Sequence, residues 1–323
     1  MLKRILNIVD TVGWAIDKAV SPLKRIRGVD VVYHYTDGKP KQTGFNPGPH
    51  NHLGLEWFER DYDVFHFHAG KATQVCLKNK DILERIGKGK VVFTLHNERD
   101  AVEYAGSDWI RRVDTLIAPT RHNEVIFRDR FPHVRYIPYS VDQGEFPFVK
   151  DYPRTELVGY NGRIVPHKRY KEIATACERL GYALHGVGYV DDGGYWQSVG
   201  SYGLSSFHQN VPQKDLARLM SDFKILVSIS QPQIETGPLA VLECASLGIP
   251  ILATPVGWAL DNLEDGISAY FIHEDEIGDL AERIRTLVED GDLREKIRQG
   301  VRRVMEDWTL DDYCQAHKEV YYA

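Results

Sequence analysis

Ile225-Leu-Val-Ser-Ile-Ser-Gln-Pro-Gln-Ile-Glu235-Thr236-Gly237-Pro238-Leu239-Ala-Val-Leu-Glu243-Cys-Ala-Ser-Leu-Gly248-Ile-Pro250 reads as a strand, a loop, a helix and the start of another strand. Ile225 to Ser230 is a short, β-branched apolar run of the kind that a parallel sheet buries on both faces. Pro238 suits the first helical position, where its missing N–H would go unpaired anyway. Gly248 suits the position just past the helix, which needs a positive φ, and Pro250 stops the helix from continuing. The spacing predicts a helix of about three turns. It places Glu235 at the carboxyl end of the strand and Glu243 inside the helix.

Ligands of open α/β sheets gather at the carboxyl ends of the strands. A helix start there offers free N–H groups and a positive dipole end, which favour an anion. Two carboxylates beside an anion site make sense if they accept hydrogen bonds from ligand hydroxyls while the phosphates lie on the amides. A nucleotide-sugar has that chemistry. Two solvated glutamates around a surface helix are the plainer alternative.

Glu156-Leu-Val-Gly-Tyr-Asn161-Gly162-Arg163-Ile-Val-Pro-His167-Lys168-Arg-Tyr-Lys reads as a strand ending at Asn161-Gly162, a loop, and a helix from about Tyr170. Arg163 and Lys168 flank the turn. A departing nucleoside diphosphate gathers negative charge on its β-phosphate, and fixed cations stabilise that charge without a metal. Arginine grips two oxygens as a fork, whereas lysine acts as a point charge.

The glutamate pair, with seven residues between, together with Gly-Arg-x4-Lys resembles the donor site of retaining GT-B glycosyltransferases, family 4 in particular. The resemblance extends to Leu252-Ala-Thr-Pro-Val-Gly257 and to the tail from Trp308 to Tyr321. It implies an α/β GT-B fold: two Rossmann-like, doubly wound parallel-sheet domains facing a cleft, with a C-terminal helix crossing back to the first. The implied boundaries are an acceptor domain over 1–142, a linker over 143–155, a donor domain over 156–307 and the returning helix over 308–323. It further implies that Glu235 touches hydroxyls of the donor sugar, that Glu243 takes the ribose diol, and that Arg163 and Lys168 form the diphosphate clamp. Thr236, Gly237, Pro238 and Leu239 complete the donor site, with Val211, in Gln209-Asn-Val-Pro212, reading the base through the main chain.

Alternating strands and helices predict a parallel sheet in the first half. The strands are expected at Ile5–Asp10, Val29–Tyr35, Asp63–His68, Lys90–His96, Thr115–Pro119 and Val134–Pro138. Helices are expected at Thr73–Ile86 and Arg121–Phe131, and a long loop from Asp37 to Leu53. In the second half, strands are expected at Leu157–Tyr160, Ala183–Val187, Leu204–His208, Ile225–Ser230, Pro250–Thr254 and Ala269–Ile272. His96 and His68 end successive strands. The family carries a histidine at the His96 position that touches donor sugar or acceptor; a local strand cap is the alternative for either ring. Gly13 permits close approach of a ligand to the backbone. Trp14 stacks on a sugar or packs. Trp258 stands where many relatives have a second glycine, and either shapes acceptor choice or packs on the sheet. Tyr139-Ser140 replace the family's usual Asn-Gly.

Composition narrows the classes further. The chain has 323 residues, 43% apolar and 27% charged, which suits two soluble domains. Cys76, Cys177, Cys244 and Cys314 show no disulfide or zinc spacing, which points to a reducing compartment. The apolar run Ile5–Val9 is too short for a signal peptide or a spanning segment, so a cytoplasmic, at most membrane-peripheral, location is expected. Residues 1–150 carry 23 basic and 19 acidic side chains against 17 and 27 in the remainder. A mildly basic first half suits an anionic acceptor. Lys18, Lys24, Arg25 and Arg27 either touch an anionic membrane or form a solvated face.

No Asp-x-Asp metal motif lies at a strand end, since Asp191-Asp192 precede Gly193-Gly194 in what reads as a loop. No Gly-x-Gly-x-x-Gly or Walker sequence opens a helix, so no nicotinamide or other cofactor and no metal is expected. The expected reaction is metal-independent transfer from a nucleotide-sugar, a UDP-sugar favoured and a GDP-sugar allowed, with retention at the anomeric carbon. The acceptor is open: a glycan or lipid-linked saccharide foremost, nucleic acid less so. Oligomeric state is unassigned. An epimerase or phosphorylase on the same fold, or a non-catalytic nucleotide-sugar binder, are the competing functions.

Overall fold

The computed structural model describes residues 2–9, 15–33, 55–68, 70–87, 89–96, 104–129, 131, 133–150, 157–199, 205–231, 235 and 237–323. Gly13, Trp14, Thr236 and the loop from Asp37 to Leu53 lie outside them. The chain divides into two compact units, one of residues 1–140 with 310–323 and one of residues 141–309.

The first unit is built on a six-stranded parallel sheet in the order β2-β1-β3-β4-β5-β6. Its strands are β1 (Ile5–Val9), β2 (Val29–Tyr33), β3 (Val64–Phe67), β4 (Lys90–Thr94), β5 (Thr115–Ala118) and β6 (Val134–Tyr136). Each falls where an apolar run was expected. β1, β3, β4 and β5 are buried almost throughout, because helices cover both faces of a parallel sheet. Order along the sheet reverses between β1 and β3. That gap is a topological switch point, where adjacent connections leave in opposite directions and open a crevice.

The expected helix Thr73–Ile86 is two helices, Gly70–Lys78 and Lys80–Ile86. Asn79 separates them: its side chain accepts the backbone N–H groups of Asp81 and Ile82 at 2.9 and 3.2 Å and starts the second helix afresh. An asparagine cap competes well with helix continuation. The helix at Arg121 stops at Arg128.

The last helix, Leu310–Tyr322, belongs to the first unit. Tyr313 Oη donates to the Ala19 carbonyl at 3.0 Å. Lys3 Nζ and Lys90 Nζ donate to the carbonyls of Tyr321 and Val320 at 2.9 and 2.7 Å. Those are last-turn carbonyls, so the two ammonium groups both satisfy orphan acceptors and complement the negative end of the helix dipole.

The second unit holds another six-stranded parallel sheet, ordered β12-β11-β10-β7-β8-β9. The strands are β7 (Val158–Ile164), β8 (Leu184–Val190), β9 (Ser205–Gln209), β10 (Ile225–Ser228), β11 (Ile251–Ala253) and β12 (Tyr270–Phe271). From β7 the chain winds outward through β8 and β9, then returns to β10 and winds the other way. The switch point therefore lies between β7 and β10.

Three local expectations change. β7 runs on to Ile164, so Arg163 sits on the strand and not in the loop after it. The helix expected to begin at Pro238 begins at Leu239, with Pro238 as its cap at φ −66° and ψ 98°. An extended ψ keeps Pro238 out of the helix, while its carbonyl accepts the Val241 N–H at 2.8 Å. Gly193-Gly194 open a short helix, Gly193–Val199, and do not form a loop. Asp192 starts it by accepting the Tyr195 N–H at 2.9 Å.

Gly248 takes φ 73° as its position requires. A Cβ there would lie 2.2 Å from the Phe148 ring, so the site excludes a side chain by space as well as by φ. Phe148 belongs to the stretch 141–150, which packs within the second unit. The Phe146 carbonyl accepts Ser246 Oγ at 2.5 Å, and the Val149 N–H donates to the Leu247 carbonyl at 2.9 Å.

Candidate functional site

The loops after β7 and β10 meet at the switch point of the second sheet. After β7 the chain makes a 3-10 turn over Pro166–Lys168, then Arg169 in the left-handed region at φ 51°, then the helix Tyr170–Leu180. The Gln231 N–H donates to the His167 carbonyl at 3.0 Å and ties the β10 loop to that turn. Lys168 Nζ thereby lies 2.7 Å from Glu235 Oε1, and His167 Nε2 lies 3.6 Å from the same oxygen.

This group is largely out of solvent, with side-chain exposures of 14% for Lys168 and 11% for Glu235. Burial works to raise the Glu235 carboxyl. The Lys168 ammonium and the His167 ring outweigh it and hold the group down at about 2. Glu235 is thus a fixed anion at neutral pH.

Arg163, on the carboxyl end of β7, is paired in register with Tyr189 of β8. Its Nη1 lies 3.2 Å from Asp191 Oδ2, in a pair left 36% and 38% exposed. The strands approach closely here. A Cβ on Gly188 would lie 1.8 Å from the Gly162 carbonyl oxygen, so only glycine fits. The Gly188 carbonyl accepts the Asn210 N–H at 2.8 Å, which holds the turn leading to half-buried Val211.

Glu243, inside the helix Leu239–Leu247, is 3% exposed. Its Oε2 accepts from Asn161 Nδ2 on β7 at 2.6 Å. The helix is almost wholly buried and lacks a polar face, so Glu243 stands out on it. Gly237 and Leu239 flank Pro238 and are partly exposed. Trp258 is 1% exposed, and its indole N–H has no hydrogen-bond partner among the described residues.

Four described histidines of the first unit, His66, His68, His96 and His317, cluster beside β3. His68, just past β3, is 1% exposed; its Nε2 lies 2.7 Å from Asn7 Oδ1 and its Nδ1 3.1 Å from His96 Nε2. His96 Nδ1 meets Tyr139 Oη at 2.6 Å. Both nitrogens of both rings are therefore engaged within the unit. His66 bridges Tyr321 Oη at 2.8 Å and Thr94 Oγ1 at 2.7 Å. His317, from the last helix, lies against His66 with ring centroids 5.9 Å apart. Burial, with help from the neighbouring rings, takes His66 and His68 well below the usual range. Burial also takes His96 to about 3 and His317 to about 4. All four rings are neutral at physiological pH.

Sequence reasoning placed Arg163, Lys168 and Glu235 near one another, and the fold brings the latter two into contact. It passed over His167, Asn161 and Asp191. His167 and Asn161 lie inside the segment already quoted, one beside Lys168 and the other two residues before Arg163. Asp191 carries no sequence signal beyond its adjacency to Asp192. Among the described residues no cluster of three or more His, Cys, Asp or Glu is arranged to hold a metal. No helix among them is long and apolar enough to cross a membrane.

Comparison with known proteins gives three findings. Residues 143–304 match the family model described as glycosyl transferases group 1. The sulfoquinovosyl transferase SQD2 of Arabidopsis thaliana is 26% identical over 164 residues, a match taking in 48% of this chain but only 31% of that protein. Among solved structures, Anabaena Alr3699/HepE in complex with UDP and glucose superposes with a TM-score of 0.82 at 15% identity, covering 99% of this chain and 100% of that one. Sucrose-phosphate synthase from Thermosynechococcus elongatus gives 0.75 at 16% identity, covering 99% and 98%. The architecture is the GT-B fold.

Proposed function

The chain belongs to the group 1 glycosyl transferases, and on that premise we propose that it moves a sugar from a nucleotide-sugar to a hydroxyl acceptor. The observation that carries this is the enclosed pair of Lys168 and Glu235 at the switch point of the second sheet, where such folds take ligands, with Arg163 on the carboxyl end of β7. A UDP-sugar is the favoured donor, supported by the UDP-bound relative of the same fold.

The division of labour follows from charge and burial. Arg163 offers a guanidinium fork, part of it open to solvent, to the diphosphate. Lys168 keeps Glu235 ionised and has further N–H groups for phosphate oxygens. Glu235, held as a carboxylate, accepts hydrogen bonds from sugar hydroxyls. Glu243 takes the ribose diol. As the bond between the anomeric carbon and the β-phosphate oxygen breaks, the cations stabilise the charge left on the diphosphate. The acceptor oxygen attacks from the same face, and its proton passes to the departing phosphate oxygen. Retention is what the resemblance of the Glu235–Glu243 pair to the retaining branch implies. The acceptor is a glycan or lipid-linked saccharide.

A panel of UDP- and GDP-sugars, assayed for nucleoside diphosphate release with and without a mixed glycan acceptor, tests this. Acceptor-stimulated release from one donor class, unchanged by EDTA, is the expected result. Release that no acceptor stimulates, or that stops with EDTA and returns with Mg²⁺ or Mn²⁺, would overturn it.

A further inference from the structure

The two cations of the proposed donor site are both paired, but in opposite ways. Lys168–Glu235 is short and enclosed, and a pair of that kind is costly to break. Arg163–Asp191 is longer and more than a third exposed on both sides, the kind of pair that contributes little and exchanges readily. The neighbouring acid has a different task, since Asp192 caps the helix Gly193–Val199 through the Tyr195 N–H. The adjacent Asp-Asp of the sequence thus divides into one residue that builds the fold and one whose carboxylate rests on the candidate phosphate ligand. Arg163 is also paired in register with Tyr189 along β7 and β8, so its backbone position does not depend on Asp191.

We propose that Asp191 is a resident anion for Arg163, which a nucleoside diphosphate must displace. The inference rests on the reading of Arg163 as a diphosphate ligand. A diphosphate carries more charge than one carboxylate and presents several oxygens to the fork, so it wins the exchange. A nucleoside monophosphate lacks the second phosphate and leaves the pair standing. Asp191 then lowers the affinity for diphosphate ligands while leaving that for monophosphates unchanged. In the absence of ligand it also keeps Arg163 from recruiting stray anions.

The probe is UDP, titrated calorimetrically into the full chain, with UMP in parallel. Asp191→Asn should bind UDP about two- to fivefold more tightly, the range that an exposed ion pair commands. UMP should change by less than twofold. In the Arg163→Ala background the gain from Asp191→Asn should vanish, because there is no guanidinium left to release. Weaker or unchanged UDP binding by Asp191→Asn, where Arg163→Ala does weaken it, overturns the competition while leaving the donor site intact. Arg163→Ala binding UDP as well as the wild type overturns the donor-site reading, and the inference with it.

Discussion

Replacing Arg163 by alanine should lower sugar transfer by roughly a hundred- to a thousandfold, the loss of about 2.7–4 kcal/mol that follows removal of one preorganised charge-stabilising contact. The charge on a departing diphosphate develops in the transition state, so the loss should appear in kcat more than in KM. Lys168→Ala should cost as much in rate and should also cost stability. Lys168 is the cation against the buried Glu235 carboxylate. Its removal leaves that carboxylate with only the His167 ring, 3.6 Å away, so the cost should approach that of a broken buried pair, about 3–5 kcal/mol. Arg163 is paired near the surface, and its loss should barely move the unfolding midpoint. Steady-state kinetics beside denaturant melts of the two variants give the comparison. Equal destabilisation by both, or near wild-type turnover in either, would contradict the assignment.

Acid should unfold the first unit well before the second. His66, His68, His96 and His317 are neutral in the folded unit, with His96 at about 3 and His317 at about 4. In the unfolded chain each titrates near 6.5, so below that pH the unfolded state binds more protons than the folded one. The stabilisation is complete above about pH 6.5 and falls as the pH drops towards the folded values. Each ring contributes a slope of up to about 1.4 kcal/mol per pH unit, so four together approach about 5.5 kcal/mol per unit. Two units of acidification then match the whole stability of an ordinary domain, roughly 5–15 kcal/mol. The groups bonded to the rings include Asn7, Thr94, Tyr139 and Tyr321, none of them a carboxylate that would favour the charged form.

The second unit has one histidine lowered by burial, His185. Its Glu235 stabilisation holds above the unfolded value near 4.5 and is lost only as the pH falls towards about 2. Hydrogen exchange resolved by peptide, corrected for the pH dependence of the intrinsic rate, separates the units. Strands β3 and β4 should lose protection between pH 6 and 5 while β7 and β10 keep theirs. Protection of β3 and β4 persisting to pH 4.5 would mean that the cluster accepts protons without unfolding.

The order of elements was legible because both sheets are parallel and buried. Each strand had to be a short apolar run bounded by turn residues, and Ile225–Ser228 and Val92–Thr94 show it plainly. Element ends were less legible. Asn79 splits a helix whose apolar period runs straight through it, since a cap works through one side chain and leaves the period intact. β7 outruns its expected end because Gly162 pairs in register with Gly188, and that contact belongs to another strand.

The charged residues of the second unit were legible as types at a spacing. Their partners were not. Lys168 and Glu235 lie 67 positions apart in the numbering and meet only because β7 and β10 are neighbours. The same holds for His66, which reads as an alternating strand residue and finds its partner Tyr321 at the far end of the chain, 255 residues on. Tyr139, noticed as a departure from the family's Asn, turns out to bond His96.

The central claim, a nucleotide-sugar donor site in the second unit, is tested most directly by calorimetry on Glu235→Gln and Glu243→Gln against UDP and against the intact UDP-sugar. Both substitutions keep the side-chain volume in a buried place. Glu243→Gln should weaken both ligands, because the ribose is common to them, by the roughly 1.5–3 kcal/mol of a hydrogen bond to a charged group. Glu235→Gln should weaken only the UDP-sugar. Bare UDP should bind it unchanged or more tightly, since Lys168 loses its anionic neighbour. UDP weakened as much by Glu235→Gln as by Glu243→Gln, or left untouched by both, would contradict the account.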